Sequence, residues 1–276
     1  MTVINTFATD VKPIWCKGCG NFGLFQSITR EILPGLGIPK HETLIVSGIG
    51  CSSRITAYID TYGINSIHGR AVTIAQGAKL AKPELTVLAI GGDGDFFSIG
   101  AGHLPHAVRR NMDITCIMLN NFVYALTKGQ ISPTTPLLRR GDSAFLGKES
   151  YPPVDPLLDM VSFSVSTGSS FIAQGISNDV PHLSRLIKEG INHRGFSYIS
   201  VVTPCITFDP PELFQTIKSN ARYLKEGEMI ELPPSSRYEP WLHDPTDIGL
   251  ALKLAQLSFI EEPLLGVFFR GQQKPE

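Results

Sequence analysis

The sequence contains no long apolar run, and this absence narrows the classes of protein that it can encode. No window of 18 uninterrupted apolar residues occurs in the 276 positions, so we expect no membrane-spanning helix. The first ten residues lack the basic start and the apolar stretch of a signal peptide. We therefore expect a protein that resides in the cytoplasm, without a membrane partner.

The sequence also has no excess of positively charged residues. Lys and Arg together number 24 against 25 Asp and Glu, which gives a formal net charge of −1, and the basic residues are dispersed. This composition offers no electrostatic surface for nucleic acid. The hydrophobic share of 42% and charged share of 18% are those of a globular protein, and the sequence has no internal repeat or low-complexity segment.

Short apolar runs typical of buried strands alternate with stretches that have helical periodicity. The predicted strands are 43–46, 85–90, 114–119, 170–173, 196–202 and 264–269. The predicted helices are 21–33, 68–81, 98–110, 156–161, 182–193 and 248–257. This alternation predicts an α/β fold with a mostly parallel sheet and helices on both faces. Residues 123–153 show no period, which is typical of a functional loop.

Domain organisation follows from a change in composition near residue 207. Residues 1–207 carry the strand–helix alternation, and we interpret them as one domain. Residues 208–276 are rich in Pro, Glu and Lys, and we expect an extension that packs on the core or on a partner subunit.

Two short motifs, 28 positions apart, follow two neighbouring predicted strands: Gly92–Asp95 and Asn120-Asn121. Ligands of open parallel sheets bind at the carboxyl edge of the strands. Glycines beside Asp93 let the backbone approach a phosphate, and oxygen ligands suit magnesium. The pair resembles the signature of thiamine diphosphate enzymes. A simple turn and an Asn helix cap are the alternative explanations.

Five cysteines are present, and four of them have an unusual distribution. Cys116 lies inside a predicted strand and is interpreted as a small buried residue. Cys16 and Cys19 form a Cys-x-x-Cys pair, while Cys51 and Cys205 follow the ends of strands. In a cytosolic protein such thiols indicate metal binding or redox chemistry. A thioredoxin site is disfavoured because few residues precede the pair, and an iron–sulfur cluster, a structural zinc and unligated thiols all stay open.

Several motifs, taken in order from about residue 10 to 210, resemble the β subunits of 2-oxoacid:ferredoxin oxidoreductases. They are Cys16–Gly20, Gly48–Ser52, His68–Arg70, Gly92–Asp95, Asn120-Asn121, Thr127–Gln130 and Ser132–Thr134. Two positions depart from the usual pattern, namely Lys17, where Pro is common, and Ala125, where Gly is usual.

The resemblance implies CoA-dependent oxidative decarboxylation of a 2-oxoacid, with electrons passed through a [4Fe–4S] cluster to ferredoxin. It also implies thiamine diphosphate and Mg²⁺ as cofactors. By position, the cluster ligands would be Cys16, Cys19, Cys51 and Cys205. Magnesium would be held by Asp93, Asn121 and the backbone carbonyl of Val123.

The same resemblance implies further contacts. Residues expected to bind the cofactor are Ile49, Gly50, Ser52, His68, Gly92, Asp93, Gly94, Asp95, Asn121, Val123, Leu126 and Thr127. Arg70 would lie near the cofactor or its loop. Arg54, Leu126 and Lys128 would face the substrate, and the two cations favour 2-oxoglutarate over pyruvate or a branched-chain 2-oxoacid. Solvated loop charges are the alternative explanation for both cations.

One group that thiamine enzymes need is missing from every matching motif, a glutamate that activates the cofactor. In the family this glutamate comes from the α subunit, so the resemblance implies a larger α (or fused γα) partner in an (αβ)₂ assembly. No catalytic residue is therefore assigned to this chain. A non-redox thiamine diphosphate decarboxylase subunit would not explain the cysteines, and a zinc-stabilised scaffold subunit would not explain Asp93 and Asn121.

Overall fold

The computed structural model describes residues 7–135, 158–209, 211–230, 232, 238–257 and 262–272. Within these ranges the chain forms a central sheet of eight strands in the order β2-β1-β3-β4-β8-β7-β10-β9, and a separate pair, β5-β6. The strands are β1 Thr43–Ser47, β2 Tyr62–Asn65, β3 Thr86–Gly92, β4 Ile114–Asn120, β5 Val123–Tyr124, β6 Gln130–Ile131, β7 Phe171–Ile176, β8 Phe196–Val202, β9 Arg222–Tyr223 and β10 Leu264–Arg270. Every neighbouring pair in the large sheet is parallel except β10 with β7.

Helices cover both faces of this sheet, as the sequence predicts. One apolar cluster contains Val87 and Ala89 of β3, whereas the cluster on the opposite face contains Leu88 and Ile90. Successive strand residues point to opposite faces, so a strand buried on both sides must be apolar throughout. The α-helices are Asn21–Gln26, Leu33–Leu36, Ala71–Ala81, Leu104–Arg109, Met160–Thr167, Val180–Asn192, Pro211–Asn220 and Ile248–Leu257.

The first predicted helix extends past its expected end at Leu33. A π-helical segment, Ser27–Ile32, follows Asn21–Gln26, and a further α-helical turn, Leu33–Leu36, follows that segment. Pro34 lies in the first turn of this last segment, where its missing N–H is tolerated. The helix ends instead at Gly37, whose left-handed φ of 65° is typical of a helix C-terminus.

Two other predicted helices have wrong boundaries. The stretch 98–110 is divided into a π-helical turn, a 3₁₀ turn and the α-helix Leu104–Arg109. The helix predicted at 156–161 begins at Met160 and ends at Thr167, while residues 156 and 157 lie outside the described residues. Asp159 fixes its start, because Oδ1 accepts hydrogen bonds from the N–H groups of Val161 (3.0 Å) and Ser162 (3.2 Å).

The predicted bounds of the strands agree with the structure better than those of the helices. The predicted bounds 196–202 match β8, and β7 extends three residues beyond the predicted 170–173. The short strands β2 and β9 and the helix Pro211–Asn220 have no counterpart among the predicted elements. The predicted loop 123–153 begins with the antiparallel pair β5-β6, and its part from residue 136 lies outside the described residues.

The predicted division at residue 207 stays a prediction. Residues after this position supply β9 and β10, and β10 pairs with β7 within the large sheet. The described residues include no helix long and apolar enough to cross a membrane.

Candidate functional site

A cavity of about 290 Å³ lies where β1, β3 and β4 end. The chain runs from β1 to β2 on one side and continues in β3 on the other, so the strand order reverses here. Open α/β sheets bind ligands at such reversal points. All twelve residues predicted to bind the cofactor line this cavity. Five lining residues were not predicted: Asn21, Cys51, Leu119, Tyr124 and Ala125.

Asp93 is a buried carboxylate in the wall of this cavity, with 1% of its surface exposed. Burial raises the pKa of Asp93 above its ordinary value, while hydrogen bonds from Ser132 and Thr134 oppose this shift. Thr134 Oγ1 donates to Asp93 Oδ2 at 2.6 Å. A carboxylate removed from water in this way is costly unless further donors or a cation compensate its charge.

The side-chain oxygen of Asn121 faces two other hydrogen-bond acceptors and no donor. Its side-chain oxygen lies 3.0 Å from Asp93 Oδ1 and 2.8 Å from the carbonyl oxygen of Val123. Rotation of the amide would give two hydrogen bonds instead, because oxygen and nitrogen exchange places. Adjacent ligands of octahedral magnesium, at about 2.0–2.1 Å from the ion, are separated by about 2.9 Å. With the amide oxygen in this orientation, its two separations match that spacing, and Asp93, Asn121 and the Val123 carbonyl have the chemistry to hold Mg²⁺.

Asp95 lines the cavity, but its carboxylate is hydrogen-bonded to backbone N–H groups of the protein. Its Oδ1 accepts hydrogen bonds from the N–H groups of Ile49 (3.2 Å) and Gly69 (2.8 Å). His68 Nε2 lies 3.7 Å from the same oxygen. A Cβ at Gly48 would lie 1.9 Å from Asp95 Oδ2, so only glycine fits beside this carboxylate. Asp95 therefore joins two cavity loops, a role that the sequence analysis did not predict.

Tyr124 was missed because no motif marks it. A Cβ at Gly94 would lie 2.3 Å from the Tyr124 ring, and the Tyr124 hydroxyl is 3.4 Å from the Gly94 carbonyl oxygen. The glycine is required here by the close approach of the ring. Thr127 lines the cavity, but its hydroxyl lies 2.5 Å from Gln130 Oε1 within the hairpin. Arg70 is not a lining residue, and its Nη1 donates to backbone oxygens of Gly69 (3.2 Å) and Ile99 (3.4 Å).

A second cavity, also of about 290 Å³, is lined by four cysteines: Cys16, Cys19, Cys51 and Cys205. Burial raises the pKa of Cys19 to about 11, and charge on the other three thiols adds to the shift. Trp15 fixes the wall, because its Nε1 donates to the carbonyl oxygen of Cys51 at 2.7 Å. The fifth cysteine, Cys116, is fully buried in β4, as predicted.

The four thiols of this cavity could bind either a structural zinc ion or a [4Fe–4S] cluster. Among the described residues, no three His, Cys, Asp or Glu side chains converge on a point that would hold a metal ion. A structural zinc requires four ligands around one ion. A [4Fe–4S] cluster is also held by four cysteine thiolates, but each binds a different iron at a corner of the cluster. Four thiols around one cavity supply the number of ligands that either group requires.

The residues predicted to face the substrate, Arg54, Leu126 and Lys128, line the cysteine cavity. Burial raises the pKa of Cys51, and the positive charge of Arg54 acts to lower it, which places the guanidinium near this thiol. Leu126 lines both cavities, as do Cys51 and Asn121. The two cavities are therefore neighbours with a shared wall.

Comparison with known proteins agrees with this geometry. Residues 48–201 match the family described as thiamine pyrophosphate enzyme, C-terminal TPP binding domain. The fold and the cavity at the strand ends are thus those of a thiamine diphosphate-binding enzyme. More narrowly, the chain belongs to the β subunits of the 2-oxoacid:ferredoxin oxidoreductases, and it is part of an oxidoreductase complex.

Three similar proteins support this assignment. A 2-oxoacid:ferredoxin oxidoreductase β subunit from a Sulfolobus species is 36% identical over 266 residues, 95% of this chain and 83% of that protein. The 2-oxoglutarate synthase subunit KorB of Archaeoglobus fulgidus is 36% identical over 258 residues, 92% and 90% of the two chains. The solved 2-oxoglutarate:ferredoxin oxidoreductase of Magnetococcus marinus matches with a TM-score of 0.84 at 31% identity, covering 97% of this chain and 84% of that one.

Proposed function

We propose that this chain, joined to a larger α subunit, converts a 2-oxoacid, coenzyme A and two oxidised ferredoxins into an acyl-CoA, carbon dioxide, a proton and two reduced ferredoxins. The observation that carries the proposal is the shared wall of the two cavities, to which Cys51 and Asn121 both contribute. A non-redox decarboxylase would not need four thiols beside its cofactor cavity. A zinc scaffold would not need the oxygens of Asp93, Asn121 and Val123.

In this proposal the residues of the chain bind and orient the reactive groups. Asp93, Asn121 and the Val123 carbonyl would hold Mg²⁺, and the four cysteines of the second cavity would hold a [4Fe–4S] cluster. Thiamine diphosphate, when bound, supplies the electron sink for decarboxylation. Gly92, which lines the cofactor cavity, would leave room for the diphosphate beside the backbone.

An α subunit is required in this proposal for a chemical reason. None of the described residues that line the cofactor cavity is a glutamate. Thiamine enzymes use such a carboxylate for proton transfer at the cofactor, so the partner would supply it. The naming of the relatives as β subunits supports the same partnership, and we expect an (αβ)₂ assembly.

For the substrate we favour 2-oxoglutarate. The described wall of the cysteine cavity contains the cations Arg54 and Lys128 and no carboxylate, which suits an acid with a second, distal carboxylate. Relatives named 2-oxoglutarate synthase and a related enzyme solved with 2-oxoglutarate, coenzyme A and succinyl-CoA bound support this choice. Pyruvate and branched-chain 2-oxoacids are the alternative substrates.

The test is an anaerobic assay of the co-purified αβ complex with ferredoxin and a panel of 2-oxoacids. We expect acyl-CoA formation that requires coenzyme A, and a brown protein with broad visible absorbance. The isolated chain should show no turnover. Turnover by the isolated chain would contradict the partnership, and a colourless active complex would contradict the role of the cluster.

Substrate choice is tested separately with Arg54→Met and Lys128→Met. A charge-assisted hydrogen bond contributes about 1.5–3 kcal/mol, so the KM for 2-oxoglutarate should rise roughly ten- to a hundredfold relative to that for pyruvate. Lys12→Met, at an exposed position outside both cavity walls, is the control. Equal effects on both substrates would show that the cations act on the loop or the cluster instead.

A further inference from the structure

The segment Ser132–Thr135 folds back over the oxygens of Asp93, Asn121 and Val123. Its hydroxyl-bearing residues, Ser132, Thr134 and Thr135, are all buried, with 2–3% of their surface exposed. The segment is internally fixed, because the Ser132 N–H donates to Thr135 Oγ1 at 2.8 Å. The Ser132 and Thr134 hydroxyls bond to Asp93, and the Thr135 hydroxyl bonds to the Phe122 carbonyl, so all three contact groups that determine where these oxygens lie.

Thr134 contacts Asp93 directly. Its Oγ1 lies 2.6 Å from Asp93 Oδ2 and 2.8 Å from Asn120 Oδ1. A threonine hydroxyl has one proton, and the shorter contact with the carboxylate receives it. Oδ2 is thereby engaged, and Oδ1 is the oxygen that faces Asn121. Ser132 and the backbone N–H groups of Asp93 and Gly94 also bond to this carboxylate, and Thr134 adds the hydrogen bond that engages Oδ2.

Thr135 contacts the residue between the other two oxygen donors. Its Oγ1 donates to the carbonyl oxygen of Phe122 at 2.6 Å. Phe122 has a left-handed φ of 60°, which is unfavourable for a bulky residue and persists only where the surroundings hold it. Its ring is 1% exposed and packs in a small apolar cluster with Ile176 and Val202. This turn is what directs both the Asn121 side chain and the Val123 carbonyl toward Asp93.

We propose that Thr134 and Thr135 are positioning residues of the cation site: Thr134 selects the oxygen of Asp93 that faces the ion, and Thr135 holds the turn that presents Asn121 and Val123. The inference rests on the proposed function, because it assumes that these oxygens bind a divalent cation with thiamine diphosphate. Each hydroxyl would act through a neighbour: Thr134 through the Asp93 carboxylate and Thr135 through the Phe122 carbonyl. Hydrogen-bonded partners of metal ligands commonly determine metal affinity in this way.

The test is titration of the metal-depleted αβ complex with Mn²⁺ at saturating thiamine diphosphate, followed by the electron paramagnetic resonance signal of bound Mn²⁺. Thr134→Val removes the hydroxyl and keeps the shape, and we expect Mn²⁺ to bind roughly ten- to a hundredfold more weakly. Thr134→Ser keeps the hydroxyl and should recover most of the affinity. Thr135→Val and Thr135→Ser form a second pair with the same expected order.

Thr115→Val is the matched control. Thr115 is also buried, and its hydroxyl donates to the Gly190 carbonyl oxygen at 3.3 Å, in the amino-terminal half of β4. Thr115→Val also removes a buried threonine hydroxyl. This hydroxyl contacts Gly190 and none of the proposed magnesium ligands, so the affinity for Mn²⁺ should not change. A purely structural role for buried threonines predicts equal effects at all three positions, and that result would overturn the inference.

The outcomes separate the inference from the proposed function. If the unchanged complex binds no Mn²⁺ with thiamine diphosphate, the proposed function fails. If it binds Mn²⁺ and Thr134→Val binds equally well, the inference fails while the proposed function stands. If Thr134→Val does not fold, the Thr135 pair decides, and equal Mn²⁺ affinity of Thr135→Val and Thr135→Ser overturns the inference.

Discussion

In one orientation of its amide, the side-chain oxygen of Asn121 lies 3.0 Å from Oδ1 of Asp93, although the two residues follow the ends of different strands. The register of the sheet brings them together, because Gly92 at the end of β3 is paired with Leu119 near the end of β4. Two oxygens so close repel each other unless the amide rotates or a cation lies between them. We therefore expect substitutions of Asp93 or Asn121 to weaken cofactor binding.

Asp93→Ala should abolish thiamine diphosphate retention in the presence of Mg²⁺ and leave iron content unchanged. The diphosphate carries several negative charges and needs a bridging cation, which the variant would no longer hold. Calorimetry of cofactor binding and iron analysis on the same preparation measure both effects. Asp113→Ala is the control, since Asp113 lies before the start of β4 and pairs with Lys79 at 2.8 Å. Undiminished binding by Asp93→Ala would rule out the magnesium assignment.

The second prediction concerns the thiols. Cys→Ser changes at Cys16, Cys19, Cys51 and Cys205 should each reduce iron and sulfide in anaerobically purified complex. Cys116→Ser provides the matched control, because this thiol is buried within β4 away from the cysteine cavity. Loss of iron in the Cys116 variant, or full retention in the Cys205 variant, would contradict the ligand assignment.

Two glycine-to-alanine changes should affect stability in opposite directions. A Cβ at Gly23 would lie 1.7 Å from the backbone oxygen of Ser177, so Gly23→Ala must displace the helix Asn21–Gln26. Overpacking of this kind costs about 1–3 kcal/mol of unfolding free energy. Gly77, in the helix Ala71–Ala81, has nothing within 4 Å of its Cβ position. Gly77→Ala should stabilise the fold by about 0.5–1 kcal/mol.

Thermal unfolding of the two variants against the unchanged chain measures both effects. A Gly23→Ala variant as stable as the unchanged chain would show that the contact with Ser177 relaxes without cost.

The pH dependence of stability should include a contribution from His182. Burial lowers the pKa of His182 to about 4, and Arg185 acts in the same direction. The unfolded chain, with an ordinary value of 6.5, then binds the proton more readily than the folded one. The stability provided by neutral His182 is present above pH 6.5 and is lost as the pH falls toward 4.

His182→Gln should therefore lose less thermal stability than the unchanged chain over this acid range. Unfolding temperatures measured across the range test the expectation, with the exposed His41→Gln as control. Identical slopes for His182→Gln and the unchanged chain would show that the histidine is not held neutral.

Much of the fold and of the candidate site could be predicted from the sequence. The strands β3 and β4 can be recognised from short stretches of sequence, because a strand covered on both faces must be apolar at every position. The motifs that follow these strands were placed at one edge of the sheet by the same reasoning. All twelve predicted cofactor residues line one cavity, and the four cysteines line another.

The order of the elements and the chemical groups at the strand ends can therefore be inferred from the amino-acid sequence. The contacts between distant groups depend on how the folded chain packs. Thr134 reaches Asp93 across 41 positions, and Asp95 accepts hydrogen bonds from Ile49 and Gly69. The first helix continues through the π-helical segment Ser27–Ile32 into the α-helical turn that contains Pro34. Single hydroxyls and carboxylates have no periodicity, and a loop's path depends on long-range packing, so such contacts become visible only when the chain is folded.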